Sequence, residues 1–411
     1  MPTVNTDYDV VIAGGGMVGA ALACCLGSSQ SDTNLSVAIL DAAGPPQWKG
    51  NDYALRVSAI SSASIRLLKK LNAWNDIISQ RLAPIDAMHI WDGNDEAASG
   101  FLEFDSAEIG AENMGVIIEN RVIQSALLKQ AQAHSNVRAI SPASVTSYTD
   151  HNDYLTVELE NGDQITTRLL VGADGAHSRV RELAHIDTYG WDFDQTAIVF
   201  TVKTEKLHEF IARQKFLATG PLAFLPLDEP HTCSNVWSAD TKEAERLLAL
   251  DDEAFKTELQ TAFGDTLGKI EWISERAGFP LTLAHAKEYL GHRVALIGDA
   301  LHRIHPLAGQ GVNLGFADAA VLAEVILSAD AKRRDIGACH NLRPFERWRK
   351  EANHKMIGLM DVFKRSFGSS EPILVTLRKL GLDTVNQTGP VKHWFMRQAS
   401  GLENELPKRF Y

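Results

Sequence analysis

Cysteine is scarce in this chain of 411 residues. The four thiols, two of them the adjacent pair Cys24 and Cys25, fit neither a disulfide framework nor zinc spacing. A disulfide-stapled secreted scaffold is therefore excluded, and a reducing cytoplasm is expected. Basic residues are also in deficit: 40 Lys and Arg against 52 Asp and Glu leave a formal charge of −12 and a pI near 5.6, which argues against nucleic acid as a partner. Only one long uncharged run is present, Val10 to Leu26. It lacks a basic leader, follows Asp7 and Asp9, falls short of about 20 residues and carries four glycines at motif spacing, so neither a signal peptide nor a membrane span describes it. Tandem repeats, low-complexity linkers and metal-ligand clusters are missing as well. The expectation is a soluble protein, at most peripheral to a membrane, long enough for two domains or for one large domain with an insertion.

What is present begins at Tyr8–Ala13, a short apolar run that reads as a buried strand. It runs into Gly14-Gly15-Gly16-Met17-Val18-Gly19, a G-x-G-x-x-G that opens a helix through Leu26. Gly14 allows the tight turn, Gly16 lets backbone meet a pyrophosphate, and Gly19 lets helix and strand pack closely. A second strand, Ser36–Leu40, ends in Asp41, 22 residues beyond Gly19 and able to bond an adenosine ribose. Strand, glycines, helix and acid in this order point to a bound dinucleotide. Whether it is FAD or NAD stays open on these residues.

A later stretch, Arg293 to Gly315, carries the second signal. Val294–Ile297 reads as a strand that stops at Gly298-Asp299, placing Asp299 at a strand's carboxyl end, where a carboxylate suits sugar or ribityl hydroxyls better than phosphate. His302, His305 and Pro306 follow in a loop. Gly309, Gln310 and Gly311 then lead into a helix from Val312 to Leu327. Its bare N-terminus favours an anion, and the glycines admit a flat ring close to the backbone, as a reduced flavin would need.

Between these signals the pattern alternates. Arg56 stands in a polar connection before a helix, Ser62–Leu71, as a phosphate or flavin contact or as a solvated charge. Asn161-Gly162 marks a hairpin between Leu155–Leu159 and Gln164–Thr167. Gly172-Ala173-Asp174-Gly175 follows, an ordinary turn or a second backbone contact to the dinucleotide, with Arg179 or Arg181 available to a phosphate. From Thr196 to Leu283 short apolar strands and two acidic helices suggest an antiparallel sheet. Its Pro221–Leu227 segment, with Phe224, Leu225 and Pro226, covers a lipophilic substrate or is half-buried sheet of the usual kind. The last fifty residues are basic, with eight Lys or Arg against four Asp or Glu, and carry Trp394-Phe395-Met396 between Lys392 and Arg397. Two readings stand for that tail: an interfacial membrane segment, or a helix packed on the enzyme or on a second subunit.

Three stretches in this order, G-G-G-M-V-G, G-A-D-G-A-H-S-R-V-R and G-D-A-L-H-R-I-H-P-L-A-G-Q-G-V-N-L-G, resemble the single-component flavin aromatic hydroxylases with the fold of para-hydroxybenzoate hydroxylase. With R-V-S-A-I-S, A-F-L-P-L, F-P-L-T, L-R-K-L-G-L and G-P-V-K, nearly the whole chain resembles the ubiquinone-biosynthesis hydroxylases within that group. The resemblance implies an α/β fold: a discontinuous Rossmann-like FAD-binding domain (1–80, 107–184 and 288–361), an inserted antiparallel-sheet substrate domain (81–106 and 185–287) and a C-terminal helical tail (362–411). It implies that Gly14, Gly16, Gly19 and Asp41 hold the adenosine and pyrophosphate of FAD, and Asp174 is counted with them among the cofactor-binding residues. Arg56 and Asn120 fall in flavin-contact slots, Asp299 takes the ribityl chain, and Pro306, Gly309, Gln310, Gly311, Val312 and Asn313 line the isoalloxazine. Asp41 stands where the family more often has Glu, and Leu301 interrupts the usual G-D-A-A-H.

The activity so implied is hydroxylation of the ring of a polyprenylated phenol, using NAD(P)H and O2 through a flavin C4a-hydroperoxide. His302 and His305 are the nearest titratable groups for deprotonating the phenol. Cytoplasmic placement, peripheral contact with the inner membrane or a ubiquinone-biosynthesis complex through the tail, and homo-oligomer formation belong to the same expectation. Two rivals stand beside it: another reaction on this fold, on a soluble phenol or as an FAD-linked reductase, and a non-catalytic flavin-bearing subunit of a biosynthetic assembly.

Overall fold

Val10, Val11, Ile12 and Ala13 are apolar at consecutive positions, so both faces of that strand must be covered, which is the signature of a central parallel strand. In the computed structural model, which describes residues 5–27, 35–44, 46, 52–92, 100–303, 311–367, 388–401 and 406–410, this strand lies in the middle of an eight-stranded sheet. Val37–Leu40 runs parallel on one side, followed by Val137–Ile140, and Gln164–Gly172 runs parallel on the other, followed by Val294–Leu296. The expected Asn161-Gly162 hairpin joins Leu155–Leu159 to Gln164–Gly172. The fingerprint helix, Met17–Gly27, is apolar all round and buried from Gly19 onward because the sheet covers one side and two helices, Asn120–Ala133 and Gly311–Ala331, cover the others. Cys24 and Cys25 sit there as free thiols, and burial pushes the Cys24 thiol up to about 12, which leaves it an inert packing group.

A second sheet of nine strands is almost wholly antiparallel, and its longest strand, Thr188–Thr204, runs beside Ala277–Ala286 and Thr232–Asp240. The sequence pattern places the start of this strand at Thr196. Its first arm escapes detection because Tyr189 and Trp191 are both exposed, so no inside–outside alternation marks it. The two acidic helices, Thr241–Leu248 and Asp252–Phe263, cover one face of the sheet. Phe255, Leu259 and Phe263, four residues apart, bury a single stripe against it.

That covering corrects one expectation. Phe224 is fully buried and stacks on Phe263 with ring centroids 3.8 Å apart, on the helix-covered face of the sheet. Its neighbour Leu225 points the other way, because side chains alternate along a strand. Leu225 joins the half-buried Val57, Ala59, Met88 and Ile90 in an apolar seam between this sheet and a small three-stranded one. Phe224 is thus a core residue and Leu225 a lining one, while Pro226 is buried at the strand's end.

The small sheet pairs Val57–Ile60 and Ala83–Pro84 with Val116–Glu119. His302–Arg303, just beyond the strand that ends near Asp299, crosses over to pair with Ala284 and His285 of the antiparallel sheet. The C-terminal helix, Gly389–Ala399, packs on the body: Met396 is fully buried in the seam cluster, Lys392 reaches Glu108 at 2.6 Å, and Ser62 N–H donates to the Ser400 carbonyl. Trp394 stays 49% exposed.

Phe224→Ala is expected to lower unfolding free energy by about 3–5 kcal/mol, the usual result of emptying a buried aromatic site. Leu225→Ala should cost clearly less in the same urea titration. Equal losses would return Phe224 to the cleft.

Candidate active site at the edge of the parallel sheet

Four motif segments meet because their strands share a direction and a register. Ala13 is level with Leu40 and Gly172, and Gly172 is level with Leu296, so Gly14, Asp41, Ala173-Asp174 and Gly298-Asp299 all leave the sheet at one edge. This is the carboxyl edge, at the point where the chain departs to opposite sides of the first strand. Gly14 has φ +106°, and a Cβ there would lie 2.3 Å from the Ala173 carbonyl oxygen. A Cβ on Gly19 would lie 2.0 Å from the Gly14 oxygen, whereas one on Gly16 would meet nothing within 4 Å. Two glycines thus permit backbone contact inside the protein, and the third faces open space, as a ligand's close approach requires.

Asp41 sits beside the fingerprint as expected. Its Oδ2 accepts from Gly15 N–H at 2.8 Å, and Oδ1 accepts from Ala43 and Gly44 N–H at 2.9 and 2.7 Å. Three of about four lone-pair directions are filled, which leaves one for a hydroxyl. Asp174 is committed more fully: it accepts from Ser178 Oγ, Arg179 N–H and Val180 N–H and so caps the short helix Arg179–Leu183. Arg179 pairs with Glu182, and Arg181 donates to the Ala300 and Ala176 carbonyls, both at 2.9 Å. These two arginines tie loops together and are not spare phosphate ligands.

Asp299 follows Gly298 in a single helical turn; its carboxylate is exposed and has no partner among the described residues. Gly298 has φ +60°, in the left-handed region that favours glycine. Nearby, Asn313 is buried, and its side chain clamps the closing helix Gly311–Ala331 to the small sheet. Oδ1 accepts from Ser61 N–H and Ser64 Oγ, and Nδ2 donates to the Ala59 carbonyl. The same sheet aligns Arg56 with Asn120, whose N–H donates to the Arg56 carbonyl at 3.0 Å. Arg56 is exposed, with its guanidinium 5.9 Å from the Phe279 ring centroid, between the two sheets. Asn120 Oδ1 accepts from Ser58 Oγ. Gly311 opens onto free space and Val312 is half-buried. His305, Pro306, Gly309 and Gln310 lie outside the described residues.

His302 is where expectation and geometry need most care. Its side chain is buried, and Nε2 donates to Asp318 Oδ2 at 2.6 Å. Asp318, in the middle of the closing helix, also accepts from Gly298 N–H at 3.1 Å and from Arg349 Nε at 2.6 Å. Burial alone would raise the Asp318 carboxyl, but the neighbouring His302 and Arg349 and their hydrogen bonds hold it below the usual carboxylate value. Arg349 continues to Asn353 Oδ1, Asn353 Nδ2 to the Tyr289 hydroxyl, and that hydroxyl to His285 Nε2. Sequence reading passes over Asp318, Arg349, Asn353 and Tyr289. The available signal is an acid, Asp318, within the mostly apolar run Leu314–Ala323, which demands a buried partner.

The edge fits an adenine dinucleotide with a long hydroxylated arm: an open glycine cradle, a carboxylate with one lone pair spare, and, at the end of another strand of the same edge, a second carboxylate without a partner among the described residues. Comparisons with known proteins agree with that fit. Residues 7–334 match the family model described as FAD binding domain. The chain is 37% identical to the mitochondrial ubiquinone biosynthesis monooxygenase COQ6 of Xenopus tropicalis, over 96% of this chain and 93% of that protein. It is 34% identical to the 3-demethoxyubiquinol 3-hydroxylase of Escherichia coli K12, over 97% of this chain and all of that one. Among solved structures, p-nitrophenol 4-monooxygenase PnpA from Pseudomonas putida has the same fold, with a TM-score of 0.78 at 18% identity, covering 96% of this chain and 98% of that one.

The two glycine positions predict opposite failures. Gly19→Ala is expected to destabilise the FAD-free protein by about 1–3 kcal/mol through forced overpacking. Gly16→Ala should leave its melting temperature within a degree or two and weaken FAD binding instead. Calorimetry of the stripped proteins and FAD titration by flavin fluorescence separate the two effects.

Proposed function

Because the chain belongs to the FAD binding domain family, among the ubiquinone-biosynthesis monooxygenases, we propose that it hydroxylates the aromatic ring of a polyprenylated phenol on the way to ubiquinone. The enzyme is an FAD-dependent aromatic-ring monooxygenase that uses NAD(P)H and O2. The observation that carries this reading is the convergence of four motif segments at one sheet edge, opposite an antiparallel sheet that presents an apolar seam. When bound, FAD supplies the electron transfer and oxygen activation that no side chain can.

The chain's own residues hold, orient and shield. Gly16 and Asp41 take the pyrophosphate and ribose, Asp299 accepts from the ribityl hydroxyls, and the helix N-terminus at Gly311 favours negative charge on the ring edge. Asn313 keeps that terminus in place through its bonds to Ala59, Ser61 and Ser64. The substrate ring enters between the sheets, with Val57, Met88 and Leu225 excluding water along its prenyl side. Pro306, Gly309 and Gln310 complete the ring's surroundings, and His302 and His305 are the proton acceptors for the phenol. Since His302 Nε2 is engaged by Asp318, a proton taken by His302 goes to Nδ1. We further infer peripheral contact with the inner membrane or a biosynthetic complex through the C-terminal helix, whose Trp394 and Arg397 face outward.

Two measurements test this. A bacterial strain lacking the gene should accumulate a prenylated precursor short of one ring hydroxyl, visible by mass spectrometry of its lipid extract and cleared when the gene returns. Unchanged quinone intermediates in a strain without a second hydroxylase for that step would point to a soluble aromatic substrate. Asp299→Ala should weaken FAD binding about 10–100-fold, the equivalent of one or two charge-assisted hydrogen bonds. Normal flavin occupancy in that variant would remove the ribityl assignment.

A further inference from the structure

Resting on the functional reading above, we infer that Asp318 is a positioning residue for the flavin pocket, acting through Gly298 and His302. Its carboxylate collects donors from three separate segments: Gly298 N–H from the turn before Asp299, His302 Nε2 from the strand His302–Arg303, and Arg349 Nε from the helix Cys339–Phe367. Asp318 itself stands on the closing helix, seven residues beyond Gly311. His302 is therefore tied to a side chain of the same helix that Gly311 opens. The turn that presents Asp299 is tied to it as well.

The same carboxylate decides which nitrogen of His302 carries the proton. An ionised carboxylate only accepts, so Nε2 carries an N–H, and in the neutral ring Nδ1 keeps its lone pair. Nδ1 is buried and has no hydrogen-bond partner among the described residues. Other polarities along the network are determined in the same way. His285 Nδ1 donates to the Ala286 carbonyl at 2.8 Å, so its Nε2 accepts from the Tyr289 hydroxyl at 3.0 Å. That hydroxyl in turn accepts from Asn353 Nδ2, and Asn353 Oδ1 accepts from Arg349 Nη2 at 3.0 Å. A buried acceptor beside the closing helix, without a partner among the described residues, is a place for a donor from the ligand, whether substrate hydroxyl or flavin N–H.

A merely structural Asp318 would affect folding alone; a positioning Asp318 affects FAD and the His302 tautomer in a folded protein. The test compares wild type with Asp318→Asn, checked for fold by circular dichroism, in two readouts. FAD titration of the stripped protein should give a dissociation constant at least about tenfold higher in the variant. Long-range 1H–15N spectra of histidine-labelled protein, with the His302 signals identified by their loss in His302→Gln, should report the Nε2–H tautomer in wild type and a mixture in Asp318→Asn. If Asp318→Asn does not fold, His302→Gln and His302→Leu carry the test. Gln places an N–H near Nε2 and should retain FAD affinity within a few-fold, while Leu should lose about tenfold. Wild type that takes up no FAD overturns the functional reading and this inference together. Wild type that binds FAD, with Asp318→Asn binding it equally and keeping the Nε2–H tautomer, or with Gln and Leu at 302 behaving alike, overturns this inference alone.

Discussion

A shared register in the parallel sheet is the constraint on which the site depends. Parallel strands have their carboxyl ends at one edge, and here the ladder levels four of them to within a residue, so segments separated by more than 280 positions in sequence emerge side by side. Had any of these strands slipped by one residue, its following turn would have moved by about 3.3 Å and its side chains would have changed faces. The continuous apolar composition of Val10–Ala13 and Val37–Leu40 guards against that slip only weakly, since both faces are greasy. Specific bonds at the strand ends provide the rest: Gly14 N–H to the Leu40 carbonyl, Ala173 N–H to Ala13, and Ile297 N–H to Gly172.

Much of this was legible in the residues because the chemistry is local. G-x-G-x-x-G between a strand and a helix leaves few other structures, and an acid at the end of the next strand is placed by the register alone. Asp299 is visible for the same reason, as the first polar residue after a buried strand. What escapes sequence reading depends on partners distant in the chain. Alternation assigns Phe224 and Leu225 to opposite faces of their strand but does not say which face looks at the cleft; that is settled by the helix carrying Phe263. Arg179 and Arg181 have the charge a phosphate wants, yet the Glu182 carboxylate and two carbonyls claim them first. The exposed arm of Thr188–Thr204 is held by pairing with Ala277–Ala286, which no pattern within the arm reveals.

The seam between the sheets has a different origin from the dinucleotide edge. It is built from side chains of the small sheet, the antiparallel sheet and the C-terminal helix, with Met396 buried among them. A salt bridge from Lys392 to Glu108 and a backbone bond from Ser62 to Ser400 hold that helix in place. The sheet edge is thus rich in polar groups, while the seam is packed from apolar side chains.

The closing helix Gly311–Ala331 is long and apolar enough to cross a bilayer by length and composition, although 72% of its most apolar window is buried in the protein. During synthesis such a segment emerges after the fingerprint helix it packs on but before the helix Cys339–Phe367 that brings Arg349. Asp318, eight residues into the helix, bears on the choice between lipid and protein. A carboxylate near the centre of a span costs about 2.5–3.5 kcal/mol on insertion scales, a penalty that weighs against hydrocarbon from the moment of synthesis. In the folded protein His302, Arg349 and the Gly298 amide remove that penalty. The same ionised oxygen pair thus suits the helix to the protein interior, where His302, Arg349 and the Gly298 amide meet it.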